Sequence, residues 1–149
     1  MNISCNNVNF TGAQVSKKGL DIVMQRPIDH VKEVINTLKK AENSATTDFI
    51  INDVGNYYVR TPEYGTIRVD NPSCPSVCGS RLCLNVEDIK GKGRKIGIDF
   101  PSKKEAEKIA DNFAPGAYMP ALNIDLFNAI EAEIAYKNTL RSSLEAFAE

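Results

Sequence analysis

The chain has no tryptophan, a single histidine, and aromatic residues at only 7% of its 149 positions. The lone histidine, His30, limits imidazole acid–base chemistry to one place, and the scattered carboxylates form no constellation around it. Neither sign of charge dominates, with 18 Lys and Arg against 19 Asp and Glu. No global field therefore draws the protein to nucleic acid or to an anionic membrane, and partner choice rests on local patches. No apolar run approaches the roughly 20 residues needed to cross a bilayer. Residues 1–7 have neither a basic start nor an apolar h-region, which argues against Sec-type export. A cytoplasmic location is expected, with secretion independent of a Sec signal as the other route. No motif implies a cofactor.

What is present is an ordinary globular composition, 42% apolar and 25% charged, long enough for one core and short for two. Residues 1–19 are polar and weakly patterned and are expected to form a leader, leaving 20–149 as a single α+β domain. From residue 48 to residue 100 the pattern alternates. Phe49 and Ile51, then Ile67 and Val69, then Leu82, Leu84 and Val86, then Ile96 and Ile98 each fall on one face of a strand, separated by turn residues. With residues 57–61, that makes five strands. Short turns imply antiparallel neighbours, so the expectation is a five-stranded antiparallel meander. Residues 20–25 fit either a sixth strand or a helix lead-in, and residues 71–80 are expected to be a loop.

Three helices are expected to cover the sheet. Pro27 opens the first, over 28–42, with Ile28, Val31, Ile35 and Leu38 as its apolar stripe. Ser102 and Glu105 form a capping box for the second, which runs to about Phe113 and breaks at residues 114–116. The third runs from Pro120 to Phe147. A helix of that length measures about 40 Å, and a compact chain of this size is about 38 Å across. It must span the domain, break, or project toward a partner.

Four groups of residues could carry chemistry or contact. Cys74, Cys78 and Cys83 could contribute thiolates to a zinc site with Cys5 or His30, but one C-x3-C and a strand cysteine lack the second knuckle that structural zinc sites use. Free thiols are expected instead. A Cys–His nucleophilic pair would have to join His30 to one of these three cysteines. Lys90, Lys92, Arg94 and Lys95 cluster around two glycines and could hold a phosphate or a nucleic-acid backbone. No Gly-Lys-Ser/Thr follows, so this is not a phosphate-binding loop. Tyr58, Arg60 and Arg68 share a strand parity that is expected to face away from the core, an amphipathic surface of the kind enriched at interfaces. On the last helix, Leu140, Leu144 and Phe147 extend an apolar arc that one domain cannot cover.

These features favour a non-catalytic protein-interaction module, of the small bacterial adaptor or effector-like kind. Its expected partner is another protein or a second copy, bound through the C-terminal helix. Nucleic-acid or phosphate binding through residues 90–95 is the alternative, and an enzyme ranks third.

Overall fold

The computed structural model describes residues 12–70, 73–111 and 124–148, without the side chains of residues 73, 74, 124 and 125. The fold is α+β, as the sequence predicts, but the strands form two sheets rather than one meander. The first has four strands, β1 (Ala13–Val15), β2 (Asp48–Ile51), β3 (Tyr57–Thr61) and β4 (Gly65–Arg68), in that order. The second has three, β5 (Ser73–Cys78), β6 (Arg81–Glu87) and β7 (Gly93–Asp99), also in order.

The expected loop at 71–80 is where the meander expectation fails. Residues 73–78 pair antiparallel with β6 through a two-residue turn at Gly79 and Ser80, with Gly79 at φ 62°. Serine, cysteine and proline disguise this strand, which lies at a sheet edge, where proline is tolerated. The register shifts between Ser73 and Ser76, around Pro75. An antiparallel bridge, Ile67 to Asp88, joins the two sheets.

The N-terminal part of the described chain also departs from expectation. Ala13, Gln14 and Val15 pair in parallel with Phe49, Ile50 and Ile51, so the packed domain begins before residue 20. Residues 20–25 are not a sixth strand. They belong to and follow α1 (Lys17–Val23), whose N-cap Ser16 accepts from the Gly19 amide at 3.4 Å. The buried Asp48 carboxylate ties this end to the sheet, accepting from the Gly12 amide at 2.7 Å and from Arg60.

The helices meet the sequence pattern more closely. Helix α2 is Ile28–Glu42, directly after Pro27, and buries Val31, Val34, Thr37 and Ala41. Ile28 and Ile35, expected in the stripe, are exposed instead. Helix α3 is Lys103–Asp111, with the Glu105 amide donating to Ser102 Oγ at 3.3 Å. Phe113 and Pro120 lie outside the described residues. Helix α4 is Ile124–Glu145. One core unites both sheets with α2, α3 and the start of α4. Phe49 of β2 meets Phe127 of α4 edge-on at 6.3 Å. Among the described residues no helix is long and apolar enough to cross a membrane.

Candidate interaction surface

Helix α4 carries Leu126, Ile130, Glu133, Lys137, Leu140 and Leu144 in one line at alternating steps of four and three residues, and Phe147 continues the spacing in the turn just past the helix end. That spacing keeps the six helical residues on one side of the helix, drifting only slowly around it. The line divides sharply. Leu126, Ile130 and Glu133 are 0–1% exposed, whereas Leu140, Leu144 and Phe147 are 45%, 73% and 87% exposed. Every residue from 138 to 148 is exposed, so the second half of the helix leaves the domain as an arm.

The division falls at a polar collar. Glu133 is buried in the apolar line, and its carboxylate accepts from the Asp99 amide at 2.5 Å and from the Tyr64 hydroxyl. The Tyr64 hydroxyl also lies 2.8 Å from the Gly97 carbonyl. Lys137 Nζ sits 2.7 Å from Glu63, 3.6 Å from Glu133 and 4.0 Å from Asp99. Arg81 then clamps Asp99 with two bonds, at 2.8 and 3.2 Å. The β3–β4 turn, the end of β7 and helix α4 are thereby fastened together. A buried carboxylate persists only where its lone pairs are satisfied, and here both oxygens have donors.

Electrostatics follow the geometry. Burial drives the Tyr64 phenol well above its ordinary range, and the hydrogen bond and negative charge of Glu133 push the same way. Burial alone would lower Lys137, but the hydrogen bond to Glu63 and the charges of Glu133, Glu63 and Asp99 outweigh it and raise the ammonium above its ordinary value.

Two of the arm's hydroxyls are satisfied within the helix. Thr139 donates to the Ala135 carbonyl at 3.1 Å and Ser143 to the Thr139 carbonyl at 3.2 Å, the usual satisfaction of a hydroxyl within a helix. A free helix of this length would be marginal in water. Continuity with the anchored half supplies its nucleus.

The other candidates from the sequence are dispersed. Tyr58 is buried at 7% exposure, and the two arginines on its side of the sheet already hold carboxylates. Arg60 pairs with Asp48, and Arg68 grips Asp70 with two bonds at 2.9 and 3.1 Å. The basic hairpin does not converge. Its tip is ordered by Asp88, which accepts from the Lys90 and Lys92 amides at 2.8 and 2.9 Å. Arg94 instead donates to the Tyr64 carbonyl at 2.8 Å, and Lys95, one residue on, points to the opposite side of β7. There Lys95 lines a cavity of about 420 Å³ with Ser76, Cys83 and Asn85.

Cys78 is exposed and Cys83 half-buried, both as free thiols, and their strand partners are Arg81 and Ser76. Cys5 and the Cys74 side chain lie outside the described residues, and with them the three-cysteine zinc set. Among the described residues no three His, Cys, Asp or Glu side chains gather as a metal site.

His30 bonds to Tyr57 rather than to a cysteine. Its Nε2 is 2.7 Å from the Tyr57 hydroxyl, which also accepts from Arg26 at 2.6 Å. Arginine can only donate, so the Tyr57 oxygen accepts in that bond, while the roles in the His30 bond depend on the ring's tautomer. Burial, then the Arg26 charge, lowers the His30 pKa below 6.5, with Glu33 and Asp70 opposing. Burial likewise raises Tyr57 above 10, with Arg26 opposing. Neither this triad nor the collar is evident from local pattern. One signal did exist for the collar: Glu133 and Lys137 interrupt a helix line whose other members are apolar.

Comparison of the chain with protein-family models, with curated proteins and with solved structures returned no match in any of the three.

Proposed function

We propose that this protein is a non-catalytic interaction module, a small adaptor or effector-like protein, whose contact element is the projecting half of α4. One observation carries the reading: a single helical line is 0–1% exposed inside the domain and 45–87% exposed beyond it, at Leu140, Leu144 and Phe147. Large apolar side chains repeated on one side of an exposed helix are the anchors of helix-mediated recognition. Isolated exposed apolar side chains are ordinary on protein surfaces, but two leucines and a phenylalanine at helical spacing on an exposed arm form a docking stripe. The collar serves this function by fixing the direction in which the arm leaves the domain.

A photoreactive side chain placed at position 144 tests the reading in expressing cells. It should give discrete covalent adducts on illumination. The same group at Ser142 should not, because Ser142 is two residues from each leucine and therefore on the far side of the helix. Equal labelling from both positions, or none from either, sinks the reading.

A further inference from the structure

We propose that the outer edge of β7, from Gly93 to Gly97, is a second contact site, and that it takes an acidic extended peptide of a partner protein as a fourth strand of the second sheet. The site is separate from the arm, and either one can stand without the other.

The edge follows from the register. Strand β7 is the last of its sheet and pairs with β6 alone. Just before it the Lys92 carbonyl accepts from the Asp88 amide at 2.9 Å, and just after it the Phe100 amide donates to the Ser80 carbonyl at 2.9 Å. Even-numbered residues therefore turn their backbone groups toward β6, and Gly93, Lys95, Gly97 and Asp99 turn theirs away. The collar uses part of this edge, since the Asp99 amide donates to Glu133 and the Gly97 carbonyl lies 2.8 Å from the Tyr64 hydroxyl. Beyond the collar, the amides of Gly93, Lys95 and Gly97 and the carbonyls of Gly93 and Lys95 have no partner among the described residues. Gly93 and Lys95 are exposed, and nothing lies within 4 Å of the place a Cβ would take at Gly93. Alternating donors and acceptors on an open edge are what a peptide backbone completes when it adds as a strand.

Charge names the occupant. Residues 88–95 hold four cations and one carboxylate, Asp88, whose Oδ1 is bound to the Lys90 and Lys92 amides. Among the described residues the ion pairs engage Arg60, Arg68, Arg81, Lys103 and Lys137, and none engages Lys90, Lys92, Arg94 or Lys95. Arg94 meets a neutral carbonyl, which leaves its charge unbalanced. Cations spread along a strand do not close around one phosphate, but they match carboxylates spaced along an extended chain. The same row argues against a second copy. A two-fold pairing of β7 edges centred on Lys95 would set that lysine against its own counterpart, and like charges directly opposite destabilise a ladder. Lysine on an edge repels another basic edge and admits an acidic one. Nucleic acid fits less well, because phosphates cannot donate to the edge carbonyls, and Tyr57, Tyr58 and Tyr64 are 0–7% exposed and offer bases no platform.

The probe is a fluorescent peptide of about eight residues that alternates glutamate with threonine, and anisotropy with the full-length chain should show saturable binding. Lys92→Glu combined with Lys95→Glu should weaken it about tenfold or more, with far-ultraviolet circular dichroism unchanged because both side chains are exposed. The same peptide with lysine for glutamate should not bind. A version methylated on every backbone nitrogen keeps the charges but cannot donate to the edge carbonyls, and it should bind about tenfold more weakly. In a nuclear magnetic resonance titration of the wild type, the Gly93, Lys95 and Gly97 amides should move downfield, and those of Ile96 and Ile98, already turned to β6, should move far less. No saturable binding, equal binding of the methylated peptide, or amide shifts confined to residues away from β7 would overturn the proposal. So would tighter binding of an oligothymidylate, which would make the row a nucleic-acid surface.

Discussion

The Tyr64 hydroxyl and the Glu133 carboxylate are hydrogen-bonded to each other although 69 residues separate them in the chain. They join the β3–β4 turn to the middle of α4 at the level where that helix leaves the domain. Most of the behaviour expected of this protein can be traced to that junction or to its counterpart at Tyr57.

Removing the carboxylate orphans the Asp99 amide and leaves the Tyr64 hydroxyl with the Gly97 carbonyl alone. Glu133→Ala should cost about 3–4 kcal/mol in urea unfolding. Glu133→Gln keeps an acceptor oxygen but loses the attraction to Lys137, so it should cost clearly less. Equal losses for the two variants would mean that packing, and not hydrogen bonding, holds the collar.

The phenols should resist alkali. Tyr64 and Tyr57 both have folded-state pKa values raised above the ordinary 10, so the stability they contribute is complete below pH 10. It is lost as pH rises above 10, where the unfolded chain ionises and the folded chain does not. Of the five tyrosines, these two should gain phenolate absorbance only as the fold itself is lost. Titration of all five near pH 10 with the fold intact would refute the burial argument.

His30 acts in the opposite direction. Its folded pKa is lowered from 6.5, so its contribution is present above pH 6.5 and is lost as pH falls through the folded value. Its ring resonances should titrate with a midpoint below 6.5, and stability should decline on that acid limb. In Tyr57→Phe the phenol bond is gone, and the midpoint should move. An unmoved midpoint would mean that the 2.7 Å contact does not govern the ring.

Gly19 lies in helix α1, where alanine would ordinarily stabilise by about 1 kcal/mol. A Cβ at this position would stand 2.0 Å from the Asn52 carbonyl oxygen and 3.0 Å from Ile51 Cγ2, so α1 would have to lift off the sheet. Gly19→Ala should therefore destabilise, by about 2 kcal/mol or more in thermal or urea unfolding. A gain in stability would show that α1 shifts freely.

Ending the chain after Lys137 should leave thermal stability within about 1 kcal/mol of the intact monomer, because every removed residue through 148 is exposed. A larger loss would return Leu140, Leu144 and Phe147 to the domain's own core.

Local chemistry was enough to specify much of this protein from its sequence. Alternation placed β2, β3, β4, β6 and β7, the proline at 27 placed α2, and Ser102 with Glu105 placed the start of α3, since each signal acts within a few residues of the backbone it shapes. The same holds for the arm: the excess apolar width of α4 at Leu140, Leu144 and Phe147 is a property of helical period alone. Pairing was decided elsewhere. The edge strand β5, written in serine, cysteine and proline, becomes a strand only because β6 offers it hydrogen bonds, and the parallel β1 exists only beside β2. Arg60 and Arg94 read as exposed cations in sequence, yet the fold brings Asp48 and the Tyr64 carbonyl to them. Whether a charge is bound or available depends on partners brought close by the tertiary fold, in Arg94's case from 30 residues away in the chain. No local pattern encodes that distance.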